Sequence, residues 1–172
     1  KNWIERKGLQ FHWYNKGYKT FNDFLEKLKS SKRKAIKKER QKISNFDVKI
    51  DRITGNDLTD EMWNSFYQFY LNTIDKKWGG AYLTKDFFYL INQNMKGRIL
   101  LVIAKQHGKI VAAALNFIGN DTLYGRNWGS LVDIPFLHFE LCYYQAIEFA
   151  IERNIKKVEA GAQGDHKIQR GY

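Results

Sequence analysis

The chain has 172 residues, of which 44% are hydrophobic and 16% aromatic; this composition excludes a disordered protein and suffices for one domain with its own core. The single cysteine, Cys142, excludes an intrachain disulfide, and no apolar run reaches the roughly 18 residues of a membrane helix, so we expect a cytoplasmic protein. The net charge is +11, and residues 26–42 carry nine Lys or Arg against two Glu, so the basic character belongs mainly to one element.

The first predicted element is an amphipathic helix of about 22 residues that begins after Thr20. Thr20 and Asp23 have the spacing of a capping box, in which each side chain binds the other residue's backbone N–H. Apolar residues recur behind it at helical spacing: Phe21, Phe24, Leu25, Leu28, Ile36 and Ile43. The other faces are basic, which is typical either of a solvated surface over a core stripe or of an arm that contacts phosphates. In the second case the residues available to tRNA are Lys32, Arg33, Lys34, Lys37, Lys38 and Arg40.

The rest of the chain predicts a strand, two helices, three strands, a long helix and a last strand. These elements cover residues 48–53, 61–78, 85–95, 98–105, 109–119, 122–128, 137–154 and 156–161. The three consecutive β runs are joined by "QHG" and "ND", which favour hairpins, and the second run is apolar on both faces. A meander followed by a helix and one more strand predicts an α/β (α+β) domain. Its mixed central sheet is flanked by helices, as in the GNAT-like acyl-CoA N-acyltransferase fold.

Metal and phosphate-loop chemistry finds little support in the sequence. The four histidines are scattered and Cys142 lies in an apolar helix, so no spacing resembles a zinc or iron site. The sequence also lacks a G-x-S-x-G elbow and a G-x-x-x-x-G-K-[ST] loop. We therefore expect a protein without a metal cofactor, and neither a common hydrolase nor a P-loop enzyme.

The segment "YGRNWGSL" occupies the place of the pyrophosphate-binding loop in the GNAT fold, between the third β run and the long helix. Arg126 and Gly129 form half of the expected R-x-x-G-x-G/A pattern, but Leu131 replaces the second glycine. Arg126 is therefore a candidate phosphate contact, and Trp128 either lines the site or stacks at a hairpin end. His138, at the start of the long helix, is a candidate for substrate contact or for a helix cap.

The chain closes with "VEAGAQGDHKIQRGY", in which a strand leads into three glycines and a polar cluster. Acylation of an amine needs a base, donors for the oxyanion and positive charge for a phosphate-bearing substrate. Glu159 or His166 can supply the base, Gln163 the polar positioning, and Lys167 and Arg170 an anion clamp. The alternative is a glycine-rich surface loop with solvated charges.

Four blocks carry a family resemblance: "FHWYNKGYKTFNDFLEKLKSSKRKAIKKERQKI", "FYQFYLNTIDKKWGGAYLTKDFF", "AAALNFIGNDTLYGRNWG" and "PFLHFELCYYQAIEFAIERNIKKVEAGAQGDHKIQRGY". They resemble a family of bacterial predicted N-acyltransferases associated with peptidoglycan biosynthesis, in the GNAT superfamily beside the Fem-type aminoacyltransferases. The resemblance implies a GNAT-like fold and a parent protein longer than these 172 residues. It also implies that Lys167 and Arg170 hold a substrate phosphate while the basic helix is free for polyanion contact.

The sequence thus predicts a single domain over residues 1–172 that transfers an acyl or aminoacyl group to an amine, with a peptidoglycan precursor as one candidate acceptor. The donor is acetyl-CoA or another acyl-CoA, or an aminoacyl-tRNA as in the Fem-type relatives, and the incomplete R-x-x-G-x-G/A loop weakens the acetyl-CoA case. The alternative is a non-enzymatic module that binds RNA or an anionic surface through the basic helix 26–42.

Overall fold

The computed structural model describes residues 4–5, 7–76, 80–162 and 164–172, and within them six strands form one sheet. The strands are β1 (His12–Tyr14), β2 (Val48–Thr54), β3 (Ile99–Gln106), β4 (Lys109–Ile118), β5 (Thr122–Ser130) and β6 (Lys157–Glu159). Their spatial order is β1-β6-β5-β4-β3-β2, and β5 with β6 is the parallel pair while the other neighbours are antiparallel. The sheet is therefore mixed, as predicted.

Helices cover both faces of this sheet. They are α1 (Phe21–Glu26), α2 (Ser30–Ser44), α3 (Asp60–Asp75), α4 (Lys85–Met95), α5 (Leu137–Phe139) and α6 (Gln145–Glu152). A π-helical segment (Glu140–Tyr144) joins α5 to α6, so that one long helix connects the parallel strands β5 and β6. Such a crossover is required because parallel strands cannot be joined by a tight hairpin.

Two hydrophobic cores lie on opposite sides of the sheet, and β3 contributes to both. Leu100 and Val102 pack with residues of α1, α2 and the long helix, whereas Leu101 and Ile103 pack with α3 and α4. The alternation follows from the period of two along a strand, and all four side chains are fully buried. The molecule is a three-layer α/β/α domain, which confirms the predicted mixed sheet flanked by helices.

The single 22-residue helix predicted after Thr20 is wrong, because the structure contains two helices there. Thr20 and Asp23 form the predicted capping box, but α1 ends at Glu26, and Lys29 has extended backbone angles before α2 begins. The break lets Phe24 pack edge-on against Trp13, with ring centroids 5.7 Å apart, while α2 runs in its own direction. No glycine or proline marks the break in the sequence, so tertiary packing decides it.

The short elements outside the sequence prediction include β1 and a C-terminal 3-10 helix. The strand β1 pairs with β6, placing His12 opposite Glu159, and a 3-10 helix forms over Asp165–Arg170, where a loop of solvated charges was the alternative. Within the described residues, no helix combines the length and hydropathy needed to cross a membrane.

Candidate active site

A cleft of about 920 Å³ opens where β5 and β6 separate. The two strands pair only from Thr122 to Tyr124 on β5, whereas β5 continues to Ser130, so its second half has no β6 partner. The cleft is lined by Tyr70 of α3 on one side of the sheet and by Tyr143 of the long helix on the other. It therefore passes between the layers at the point where the sheet divides.

A β-bulge changes the direction of the β5 side chains within this cleft. Between the pairs Asn116–Gly125 and Ala114–Trp128, two β5 residues stand opposite the single β4 residue Leu115. The α3 backbone approaches closely just beyond, since a Cβ atom on Gly129 would lie 2.1 Å from the carbonyl oxygen of Phe69. Only glycine allows α3 to form this wall of the cleft, which explains why the "WGS" glycine follows the bulge.

Five of the eight predicted site residues line the cleft together: Arg126, Trp128, His138, His166 and Lys167. They come from β5, the long helix and the C-terminal 3-10 helix. The ring of His138 lies 4.9 Å from that of Trp128 and 6.2 Å from that of His166, measured between centroids. Residues distant in sequence thus form one aromatic and cationic wall.

His166 has the environment of a base. Its Nε2 lies 3.0 Å from the hydroxyl of Tyr143. Burial, followed by the positive charges of Arg170 and Lys167, lowers the pKa of His166 below its ordinary value, with Asp165 opposing the shift. The neutral imidazole therefore predominates at neutral pH and can accept a proton. Burial raises the pKa of Tyr143, so its hydroxyl keeps its proton.

Lys167 brings a cation into the cleft wall. The residue is only 4% exposed, and its ammonium nitrogen lies 5.2 Å from the ring centroid of Phe11. Burial is the main cause that lowers the pKa of Lys167. An anionic group of a ligand in the cleft would stabilise the charged form of this side chain.

Glu159, the other predicted base, lies beside the cleft and does not line it. Its Oε1 accepts a hydrogen bond from Arg126 Nη1 at 3.1 Å, and its Oε2 lies 3.8 Å from His12 Nε2. Glu159 thus positions the guanidinium at the cleft rim. A catalytic role for its carboxylate stays a prediction.

Arg170 faces away from the cleft, into the contact between the C-terminal segment and α2. Its Nη2 lies 2.6 Å from Glu39 Oε1, and its guanidinium carbon lies 3.4 Å from the ring centroid of Phe139. Glu39 also accepts a short hydrogen bond from the Tyr144 hydroxyl. The guanidinium is already engaged by these groups, so its placement gives no support to the predicted role in an anion clamp. Gln163 lies outside the described residues.

The basic residues proposed for tRNA contact divide into two groups. Arg40 binds the carboxylates of Glu140 and Glu148 at 2.8 and 3.0 Å, so it holds α2 against the long helix. Lys32 donates to the Ile168 carbonyl, and Arg33 is half-buried. The exposed members are Lys34, Lys37 and Lys38, which we call the α2 lysine triad.

Tyr143 and Asn116 are among the cleft-lining residues that sequence reasoning missed. Tyr143 lay hidden in the apolar pattern of the long helix. Asn116 carried a usable signal, because it is the polar residue in the run "VAAALNFI", whose faces are otherwise apolar.

Several solved structures share the fold of this domain. The C-terminal domain of a protein named as a lysylphosphatidylglycerol synthetase, from Agrobacterium fabrum, has a TM-score of 0.65 at 10% identity, over 95% of this chain and 49% of that one. The L-PGS of Bacillus licheniformis has a TM-score of 0.57 at 10% identity, over 92% and 46%. An aminoglycoside acetyltransferase from an uncultured soil metagenomic sample has a TM-score of 0.50 at 17% identity, over 74% and 86%. The domain therefore has a GNAT-like acyltransferase fold.

The family follows from the sequence as a whole. The model of the FemAB-like family, described as peptidoglycan biosynthesis/recognition, matches residues 1–172, so the chain belongs to this family. The resemblance drawn from the sequence is confirmed. A comparison with curated proteins gives no significant match. The chain spans about half the length of the first two solved structures described above, 49% and 46%.

Proposed function

We propose that this chain is an N-acyltransferase domain that moves an acyl or aminoacyl group onto an amine, with a peptidoglycan precursor as the acceptor. The observation that carries the proposal is the cleft between β5 and β6, where a neutral histidine, a protonated tyrosine and two cations converge. Membership of the FemAB-like family and the acyltransferase fold support the same reaction class.

The reaction forms a C–N bond and moves one proton. The lone pair of the neutral amine attacks the donor's carbonyl carbon, and the bond to the leaving sulfur of CoA or ribose oxygen of tRNA breaks. His166 accepts the proton that the amine loses, and Tyr143 donates its hydroxyl proton to the leaving group. The 3.0 Å contact between the two side chains then returns a proton from His166 to Tyr143, so both end as they began.

The positive charge of the cleft serves the donor or acceptor. Arg126 at the rim and Lys167 in the wall bring positive charge to the cleft, which favours a ligand with phosphate or carboxylate oxygens, and neither a glutamate nor an aspartate lines the cleft among the described residues. These two cations take the role that the sequence had assigned to Lys167 with Arg170. Trp128 and His138 add two aromatic rings, 4.9 Å apart between centroids, to the lining of the same cleft.

A specific observation favours aminoacyl-tRNA over acyl-CoA as donor. The α2 helix contacts the 3-10 helix that carries His166 and Lys167, through Lys32 and the Ile168 carbonyl. The α2 lysine triad is exposed on the opposite, solvent-facing side of α2, where it offers positive charge to a polyanion. The same triad supports the alternative of a non-enzymatic RNA- or anionic-surface-binding module, which predicts salt-dependent binding without turnover.

The test begins with binding of the donor to the intact protein. Acetyl-CoA or CoA at about 100 times its dissociation constant would add roughly 2.7 kcal/mol to the free energy of unfolding, a rise in Tm of about 5 to 11 °C. No shift, together with an RNA gel shift that weakens with salt, would select the tRNA donor. Transfer to peptide amines is then followed by mass spectrometry.

The decisive variants are His166→Asn and its matched control, His107→Asn. His107 is an exposed histidine in the β3–β4 turn, far along the sheet from the cleft. We expect His166→Asn to lower kcat by about 10²- to 10⁴-fold, the usual contribution of a positioned base, and His107→Asn to have no effect. Equal turnover in wild type, His166→Asn and Tyr143→Phe would overturn the mechanism.

A further inference from the structure

The side chain of Asn116 is a polar group buried at the base of the cleft. It lies on β4, on the same face as Ala112 and Ala114, and the residue is 1% exposed. A strand position of this kind is ordinarily apolar, because an amide removed from water must find hydrogen-bond partners. Asn116 nevertheless lines the cleft, so its amide is placed where a ligand would lie.

Among the described residues, hydrogen-bond partners are found only for the NH2 end of this amide. Nδ2 lies 3.5 Å from the carbonyl oxygens of Leu100 and Ala114, at the outer limit of a hydrogen bond. Carbonyl oxygens only accept, so these two neighbours fix which end of the amide is the NH2 group. Within the described residues Oδ1 accepts no hydrogen bond, and its two lone pairs are available.

The backbone around Asn116 keeps Oδ1 accessible. Gly125 stands directly opposite on β5, immediately before the bulge, and a Cβ atom there would lie 3.5 Å from Oδ1 and 3.2 Å from the Glu159 carbonyl oxygen. A side chain at Gly125 would fill the space in front of the amide. Asn116 Oδ1 is therefore an acceptor without a partner among the described residues, and it lies where β5 separates from β6, beside the bulge and next to Gly125.

We propose that Asn116 is a substrate-binding residue whose Oδ1 accepts a hydrogen bond from an N–H of the reacting amine. The inference rests on the proposed acyl transfer, because it assigns the amine to the base of the same cleft. Binding one N–H at Oδ1 orients the nitrogen so that its remaining N–H and lone pair face the reacting groups. The neutral amide oxygen also holds the amine without stabilising the ammonium form as a carboxylate would.

The matched pair of variants is Asn116→Leu and Asn92→Leu. Asn92 is a second buried asparagine whose Oδ1 lacks a partner, but it lies on α4, and it does not line the cleft. Both substitutions replace a buried amide with an apolar group of similar size, so neither is expected to lower Tm by much. At saturating donor and with Nα-acetyl-lysine amide as the probe amine, Asn116→Leu should raise the KM for the amine about tenfold, while the KM for the donor changes less than twofold. Asn92→Leu should change neither.

Three results overturn the assignment. If Asn116→Leu raises the KM for the donor and leaves that for the amine unchanged, Oδ1 serves the donor's own N–H and not the amine. If both asparagine variants behave alike in kinetics, the amide is only structural. If wild type transfers nothing to the probe amine, the proposed function fails, and an NMR titration decides Asn116 separately. Saturating Nα-acetyl-lysine amide should then shift the side-chain amide resonances of Asn116, and unshifted resonances would overturn the inference.

Discussion

Replacing Glu39 by leucine tests whether Arg170 is a structural residue. The carboxylate and guanidinium are 2.6 Å apart, and their side chains are only 14% and 8% exposed. Removing Glu39 leaves a buried cation and deprives the Tyr144 hydroxyl of its acceptor. Breaking a buried pair in this way costs about 3 to 5 kcal/mol. Each kcal/mol lowers Tm by about 2 to 4 °C in a domain of this size, so we expect a fall of about 6 to 20 °C.

The assay is thermal and urea unfolding followed by circular dichroism, with two reference variants. Glu152→Gln removes a carboxylate whose ion pair with Arg52 has a similar length, 2.8 Å. Because the Glu152 side chain is 55% exposed, losing this ion pair should cost less than about 1 kcal/mol. The double variant Glu39→Leu with Arg170→Met removes both charges and should recover most of the lost stability. If Glu39→Leu costs no more than Glu152→Gln, or if Arg170→Met weakens substrate binding at unchanged stability, Arg170 belongs to the clamp first predicted from the sequence.

Three further outcomes are expected. Because the pKa of His166 is lowered, its ring resonances in an NMR pH titration should shift with a midpoint below about pH 6.5, and a midpoint above pH 7 would contradict the base assignment. Gly129→Ala would place a Cβ atom 2.1 Å from the Phe69 carbonyl oxygen and should lower the free energy of unfolding by at least about 1 to 3 kcal/mol. The control Gly97→Ala adds a Cβ atom in open space and should change the free energy of unfolding by less than about 1 kcal/mol. Equal values for the two variants in urea denaturation would refute the close approach of α3 to Gly129. Changing the α2 lysine triad to glutamine should leave Tm nearly unchanged and reduce the slope of log K against log salt for RNA by about 2 to 3, and an unaltered slope would exclude α2 as the RNA contact.

The main elements of the fold could be predicted because their signals are local. The continuous apolar run of residues 99–104 and the turn residues "QHG" indicate the meander, because each signal comes from residues next to one another. The strand β1 has only three residues and is stabilised by pairing with β6, so the residues "HWY" alone do not predict a strand. The hydrophobic periodicity of a segment carries no information about a pairing partner that is distant in sequence.

The candidate site was predictable by residue type but not by orientation. His166, Lys167 and Arg170 are close in sequence, yet the 3-10 helix directs the first two toward the cleft and the third toward Glu39 on α2. The charge of Arg170 is as suitable for phosphate as that of Lys167, and only the three-dimensional position of Glu39 separates their roles. Asn116 could have been suspected, because a lone amide in an apolar strand is costly without a purpose.

The pairing of β1 with β6 also has a consequence for the order of folding. These strands lie near the two ends of the described chain, so the cleft edge of the sheet joins residues that are among the most distant in sequence. The β3–β4–β5 meander consists of neighbours joined by short turns and can form first, because short loops close with less loss of entropy. During synthesis the cleft would therefore be completed last, after nearly all of the domain has left the ribosome.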